Sequence, residues 1–343
     1  MRPRSKAGPS ALRQLGVPLG LEPMEAQLVA ELPEGDGWQF EPKWDGFRCL
    51  AFRAGADVEI KSKSGKSLSR FFPEVVANLR ALVRPAFVLD GELIITMNGV
   101  ASFEALQMRL HPAASRVERL SQESPGELVA FDCLLVEAGR PLLHEPMADR
   151  RRALEGFFRE EGDRHGIRIT PVTRDRRLAR AWLDKRQPAF DGIVAKRIDL
   201  PYRPGERAML KIKRIRTADC VVGGFRYESN APLVGSLLLG LYDRKGLLHH
   251  VGFTSAIGGR EKLALTRQLE KLIEPPGFTG SAPGAPSRWS SARSTQWQPL
   301  RPELVVEVRY DRLAGRRFRH GTKLVRWRPD KAPRQCTFAQ LSS

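Results

Sequence analysis

The run EPKWDGFRCLAF, residues 41–52, puts a lysine two residues before an Asp-Gly turn, with aromatic and aliphatic residues on both sides. An amine attacks only after losing its proton, and the reference pKa of a lysine is about 10.4. Desolvation and neighbouring cations both lower that value. KWDGFR supplies apolar surroundings for Lys43. Lys211 and Lys213 of LKIK supply cations, since the two-residue period of a strand puts both on one face. An amine attacking phosphorus also needs carboxylates to hold a metal. Asp90 and Glu92 of LDGEL share a strand face by the same alternation, and Asp191 opens DGIVAKR. Side by side, Asp90 and Glu92 repel each other unless a cation lies nearby.

Taken singly, each run has a plainer reading. KWDG suits an exposed hairpin lysine, LDGEL a hairpin turn, Phe131 in AFDCLL a core aromatic, and LKIK a half-exposed edge strand. Chance does not easily supply them together, in this order and at this spacing.

These residues need strands to carry them. FVLDGELIIT (87–96), LVAFDCLLV (128–136), FDGIVAKR (190–197) and AMLKIKR (208–214) read as strands, and Asn98-Gly99 marks a hairpin after the first. Apolar residues at three- and four-residue spacing predict helices over 72–83, 102–110, 147–158 and 176–186, and a short one near Glu25 to Leu32. Strands mixed with helices give an α+β core. After about residue 216 the texture changes to short strands with turn signals, interrupted by one helix over 260–273. That pattern suits a small OB-type β-barrel. The Pro/Gly/Ser-rich stretch 275–300 reads as a long loop inside this second domain, because the roughly forty residues after it are too few to bury a core of their own. Two domains are expected, 1–216 and 217–343.

The chain has 343 residues, and its 57 lysines and arginines exceed its 39 acids by 18. An excess this large points to a polyanionic partner, nucleic acid before anionic membrane. No run of about twenty apolar residues offers a membrane span. The basic N-terminus lacks an apolar signal core, so a cytoplasmic location is expected. Cys49, Cys133, Cys220 and Cys336 are far apart with no C-x-x-C pair, which argues against zinc and against a disulfide framework.

In these ordered motifs the chain resembles the covalent nucleotidyltransferases, which comprise DNA ligases, RNA ligases and mRNA capping enzymes. The motifs are KWDGFR (43–48), SKSGK (62–66), LDGEL (89–93), FDCLLV (131–136), DGIVAKR (191–197), LKIKR (210–214) and RPDK (328–331). SFEALQMR (102–109) resembles the stretch that follows LDGEL in ATP-dependent DNA ligases, and APGAPSRWSS (282–291) and RFRHGTKLVRWRPDKAPRQCTF (317–338) are most similar to the C-terminal domain of the short bacterial ATP-dependent DNA ligases of the ligase C type.

The resemblance implies an adenylation domain followed by an OB-fold domain, ATP as substrate, Mg²⁺ or Mn²⁺, and nicked double-stranded DNA sealed through lysine-AMP and DNA-adenylate intermediates. A monomer is expected, with DNA repair proteins as further partners. Lys43 would carry AMP. Glu41 and Phe131 would line the adenine pocket, and Arg48 would meet ribose or the nick phosphate. Lys63 belongs to the second motif, where arginine is common in the family. Glu92 would meet ribose or metal, and Lys211 and Lys213 would hold the α-phosphate. Arg328, Asp330 and Lys331 would orient pyrophosphate. Asp191 stands where the family usually has glutamate, so its reach toward a metal is about one methylene shorter. An RNA ligase, a GTP-using capping enzyme and a nucleic-acid-binding protein without activity are the alternatives. Intact Lys43, Glu92, Lys211 and Lys213 speak against the last.

Overall fold

Residues with branched and aromatic side chains fold here as strands, because such side chains pack well on a pleated surface. In chain order the first half holds β1 (Ala26–Val29), β2 (Trp38–Trp44), β3 (Phe47–Ala54), β4 (Asp57–Ser62), β5 (Ala86–Met97), β6 (Val100–Ala101), β7 (Gly126–Leu135), β8 (Ile167–Ile169), β9 (Phe190–Arg197) and β10 (Met209–Lys213). Helices α1 (Pro73–Ala81), α2 (Phe103–Arg109), α3 (Ala114–Glu123), α4 (Met147–Glu161) and α5 (Arg176–Asp184) lie between them. The structure is a computed structural model and describes residues 11–161, 166–184, 190–214, 216–228, 230–255, 257, 262–284, 296–311, 313–319 and 321–341. The chain forms two units, Met1–Arg214 and Ile215–Ser343.

In the first unit the strands make two sheets, of order β1-β10-β9-β2 and β4-β3-β5-β7-β8, with β6 paired to β5. One apolar cluster packs α1, α2 and α4 on the larger sheet through Leu79, Leu106 and Phe157. A second joins the two sheets through Leu50, Phe52, Val88, Met24, Tyr202 and Met209. A third packs Ala179 and Leu183 of α5 on Phe40, Ile193 and Ile212 of the smaller sheet. The β5–β6 turn is tight because Asn98 (φ 51°) and Gly99 (φ 78°) both take positive φ, as a two-residue hairpin loop requires. Ser102 caps α2, its Oγ accepting the Ala105 N–H at 3.2 Å.

The helix expected near Glu25 to Leu32 is instead a strand. Ala26–Val29 adds to the smaller sheet beside β10, parallel, with Leu28 opposite Lys211. A free sheet edge offers its backbone a full ladder, and the short stretch between Pro23 and Pro33 is too brief for a stable helix.

Helix α4 buries a stripe that includes two arginines, Arg150 and Arg151, among Met147, Leu154, Phe157 and Phe158. Arg150 is fully buried and forks onto Asp132 of β7 at 2.8 and 3.0 Å. Burial works against both charges. The pair nevertheless lowers the Asp132 carboxyl below the usual range and raises the guanidinium, because each partner supplies the opposite charge. Arg150→Met would leave a buried carboxylate without its cation, at a cost of about 3–5 kcal/mol. A urea titration followed by circular dichroism should show the lower midpoint; an unchanged midpoint would remove the pair from the determinants of this fold.

The second unit holds β11 (Arg216–Tyr227), β12 (Val234–Tyr242), β13 (Leu248–Thr254), α6 (Lys262–Glu270), β14 (Gln298–Pro299), β15 (Val305–Tyr310), β16 (Leu313–Ala314), β17 (Arg317–Phe318) and β18 (Lys323–Trp327). Five strands form an antiparallel sheet of order β13-β12-β11-β15-β18, and β14 returns the long loop onto β11. The edge strands meet at their ends, where Thr254 bridges Thr322. Among the described residues no continuous ladder closes β13 onto β18. Residues 185–186 and 260–261 of the expected helices, 285–295 of the long loop, Ile215 and His320 lie outside the described residues. The four cysteines are free and buried. Among the described residues no helix is long and apolar enough to cross a membrane.

Candidate active site

Between the two sheets of the first unit lies a cavity of ≈ 270 Å³. Glu41 and Lys43 reach it from β2, Arg48 from β3, Glu92 from β5, Phe131 from β7 and Lys211 from β10; Lys63, just after β4, also lines it. Asp191 and Lys213 stand next to this lining. Asp191 Oδ1 lies 2.9 Å from Lys43 Nζ, and its Oδ2 lies 3.7 Å from Lys213 Nζ.

Two β-bulges put the residues there. Lys43 pairs with Gly192 and Trp44 with Phe190, so Asp191 is the extra residue of β9. Asp90 pairs with Asp132 and Gly91 with Ala130, so Phe131 is the extra residue of β7. A bulge re-aims the side chain it carries, which strict alternation would leave on its old face. The Asp-Gly pairs serve a different need. A Cβ on Gly46 would sit 1.9 Å from the Leu93 carbonyl oxygen, and one on Gly192 would sit 2.2 Å from that of Ile212. Only glycine lets the backbones approach this closely.

The cation that Asp90 and Glu92 require is Arg48. It forks onto Asp90 with two bonds of 2.6 Å, and Tyr202 donates to the same carboxylate at 2.7 Å. The Arg48 guanidinium lies 4.4 Å from the centre of the Phe131 ring. Glu92 accepts the Gly46 N–H at 3.0 Å. Burial lifts the Glu92 carboxyl to about 7, although Arg48, Lys43 and that N–H pull it down. Burial also lowers Lys211, and the cations of Lys43, Lys213 and Lys63 lower it further. Lys63 is paired with Glu25 at 2.7 Å and is more than half exposed. Asp191 Oδ1 is buried and makes no hydrogen bond, although Lys43 Nζ lies 2.9 Å from it.

Sequence reasoning passed over Lys196. It is buried, ion-paired with Glu41 at 3.0 Å, and donates to the Phe131 carbonyl at 3.0 Å, so it ties the two sheets together across the cavity. Gln39 donates to the other Glu41 oxygen at 3.0 Å. One signal was available: a lysine in the apolar run GIVAK is costly unless paired.

Arg328, Asp330 and Lys331 belong to the second unit, just after β18. Arg328 donates to Asp219 Oδ1 at 2.9 Å, and Lys331 donates to Asp219 Oδ2 at 2.6 Å. Arg328 also forks onto Asp330, which lowers that carboxyl to about 2.

Residues 23–213 match the family model of the ATP dependent DNA ligase domain, and residues 230–331 that of the ATP dependent DNA ligase C terminal region. The chain is 42% identical to DNA ligase C2 of Mycolicibacterium smegmatis, with 94% of each chain covered. It is 41% identical to DNA ligase C of Mycobacterium tuberculosis, over 96% of this chain and 95% of that one. A solved Lig E DNA ligase, 14% identical, aligns over 89% of this chain and 100% of its own with a TM-score of 0.55, which is a likeness of fold.

Proposed function

The chain belongs to the ATP-dependent DNA ligases, in the DNA ligase C group, and we propose that Lys43 carries the AMP of its reaction. The observation that supports this most is the Lys43 amine in the inter-sheet cavity, with the Asp191 carboxylate 2.9 Å away and Lys211 lining the same space. To attack, Nζ must first release a proton, and Asp191 Oδ1 is an acceptor within reach. The freed amine then bonds to the α-phosphorus of ATP, and pyrophosphate leaves. AMP passes from the nitrogen to the 5′-phosphate of a nick, and the 3′-hydroxyl finally displaces AMP.

In this reading the adenine lies between Glu41 and Phe131, and Glu92 or Arg48 meets the ribose. Lys211 and Lys213 hold the α-phosphate, with Lys63 adding charge. Arg328, Asp330 and Lys331 orient the pyrophosphate. Adenylation is assigned to 1–216, and DNA is held in part by an OB-type barrel in 217–343. Five antiparallel strands and the Thr254–Thr322 tie between the edge strands support the barrel. The excess of 18 positive charges suits a partner bound through its phosphates without regard to sequence, here a nicked duplex. Four free cysteines are in keeping with action in the cytoplasm.

A divalent cation fits the site on one condition. Among the described residues no three Asp, Glu, His or Cys side chains converge as a ligand set. Magnesium, however, is commonly held by one or two carboxylates, with substrate phosphates and water as the remaining ligands. Glu92 and Asp191, the latter with a buried oxygen that makes no hydrogen bond, suit that mode. Bound there, Mg²⁺ or Mn²⁺ would offset the charge of the phosphates.

The test is covalent labelling. ATP labelled at the α-phosphate should mark the peptide that contains Lys43, GTP should not, and a nicked DNA duplex should discharge the label as it is sealed. A label drawn from GTP, or discharge only on RNA nicks, would replace this reading with a capping enzyme or an RNA ligase.

A further inference from the structure

Arg328 and Lys331 share one anchor. Asp219 lies on β11, 109 residues before Arg328, and its two carboxylate oxygens take one cation each, at 2.9 and 2.6 Å. The anchor is itself held. The Asp219 N–H donates to Gln340 Oε1 at 2.9 Å, and the Asp219 carbonyl accepts from Gln340 Nε2 at 2.9 Å. Nε2 also reaches the Thr337 carbonyl at 3.0 Å. Gln340 sits in a 3₁₀ turn, Phe338–Leu341, so the C-terminal turn clamps β11 at the residue that grips both cations.

The grip orients the cations without exhausting them. A guanidinium has five N–H groups and an ammonium three. Arg328 gives its Nε and one N–H from each terminal nitrogen to Asp219 and Asp330, and Lys331 gives one to Asp219. About two donors on each side chain remain for phosphate oxygens. These partly buried pairs add modestly to folding. They also give a fixed direction to a lysine on a flexible four-carbon stem.

We propose that Asp219 is the positioning residue for the pyrophosphate-orienting group: it holds Arg328 and Lys331 as one rigid array for the first step, and Gln340 holds Asp219 in turn. This rests on the reading that the RPDK motif orients pyrophosphate.

The experiment compares three rates in the full chain: adenylation from ATP in a single turnover, loss of AMP from the adenylated enzyme when pyrophosphate is added, and sealing of a pre-adenylated nick. Asp219→Ala and Asp219→Asn should slow the first two by about 10- to 100-fold, the scale of a misplacement of about 1 Å. Sealing should stay at the parent rate. Asp219→Glu should recover part of the loss, and Gln340→Ala should show the same selectivity more weakly. Because Asp219 acts through both cations, the losses of Asp219→Ala and Lys331→Ala should be less than additive in the double variant, with Arg328 accounting for what remains. Normal or faster adenylation in Asp219→Ala, or losses that add in the double variant, overturns the role of Asp219 while Lys331→Ala stays selective for the first step. Equal losses in all three rates for Lys331→Ala, shrinking at low salt, mean that the motif binds DNA. That result overturns the reading and the inference together.

Discussion

Lys43→Ala should take up no AMP at all. Alanine has no nucleophile, and losing a covalent nucleophile costs more than about 10⁴-fold. Charge and nucleophilicity can be separated at this position. Lys43→Arg keeps a cation beside Asp191, but a guanidinium remains protonated at any pH the enzyme survives. Both variants should therefore fail equally in AMP attachment, read by mass spectrometry after incubation with ATP. Both should still seal a pre-adenylated nick at a measurable rate, because in that step the 3′-hydroxyl attacks and Lys43 does not. Arginine should keep more of this activity than alanine, since it preserves the ion pair with Asp191. Covalent AMP on either variant, stable to base and released by acid as a phosphoramide is, would falsify the assignment of Lys43.

The local chemistry of the site was legible in the sequence; its three-dimensional aim was not. KWDGFR announced Lys43, and alternation in LKIK announced two cations together, because both patterns depend only on near neighbours. The Asn98-Gly99 hairpin was equally local, needing just two residues with positive φ. Asp191 and Phe131 are different. Each owes its direction to being the extra residue of a bulge, and a bulge is defined by the partner strand as much as by its own. The strand Ala26–Val29 was hidden for a related reason. Its apolar spacing favours a helix, and only the open edge of β10, far along the chain, makes a ladder available. Helix α3 gave little apolar signal, burying just Val117 and Ser121. Lys196 and Asp219 stood in runs already marked as strands, yet nothing in those runs names Glu41 or Arg328 as partners.

Asp191→Ala should slow adenylation by about 10²- to 10⁴-fold, the scale of losing a positioned proton acceptor. The substitution removes the proton acceptor, and that loss outweighs the easier proton release that less balanced cations bring. Lys43 loses the carboxylate at 2.9 Å, Lys213 loses its neighbour at 3.7 Å, and the cations around Lys211 are left with less to offset them. If proton acceptance is the larger part, the deficit should narrow as pH rises, because solvent base then removes the proton instead. If charge balance at a metal is the larger part, added Mg²⁺ should narrow it. Asp191→Asn separates shape from charge and should resemble alanine. Asp191→Glu should work close to the parent rate, since the bulge already aims the side chain at Lys43 and a longer acid keeps the charge. Near-normal adenylation in Asp191→Ala across both a pH series and a Mg²⁺ titration would leave Asp191 only the task of shaping the bulge. The close contact with Lys43 would then be a consequence of that shape.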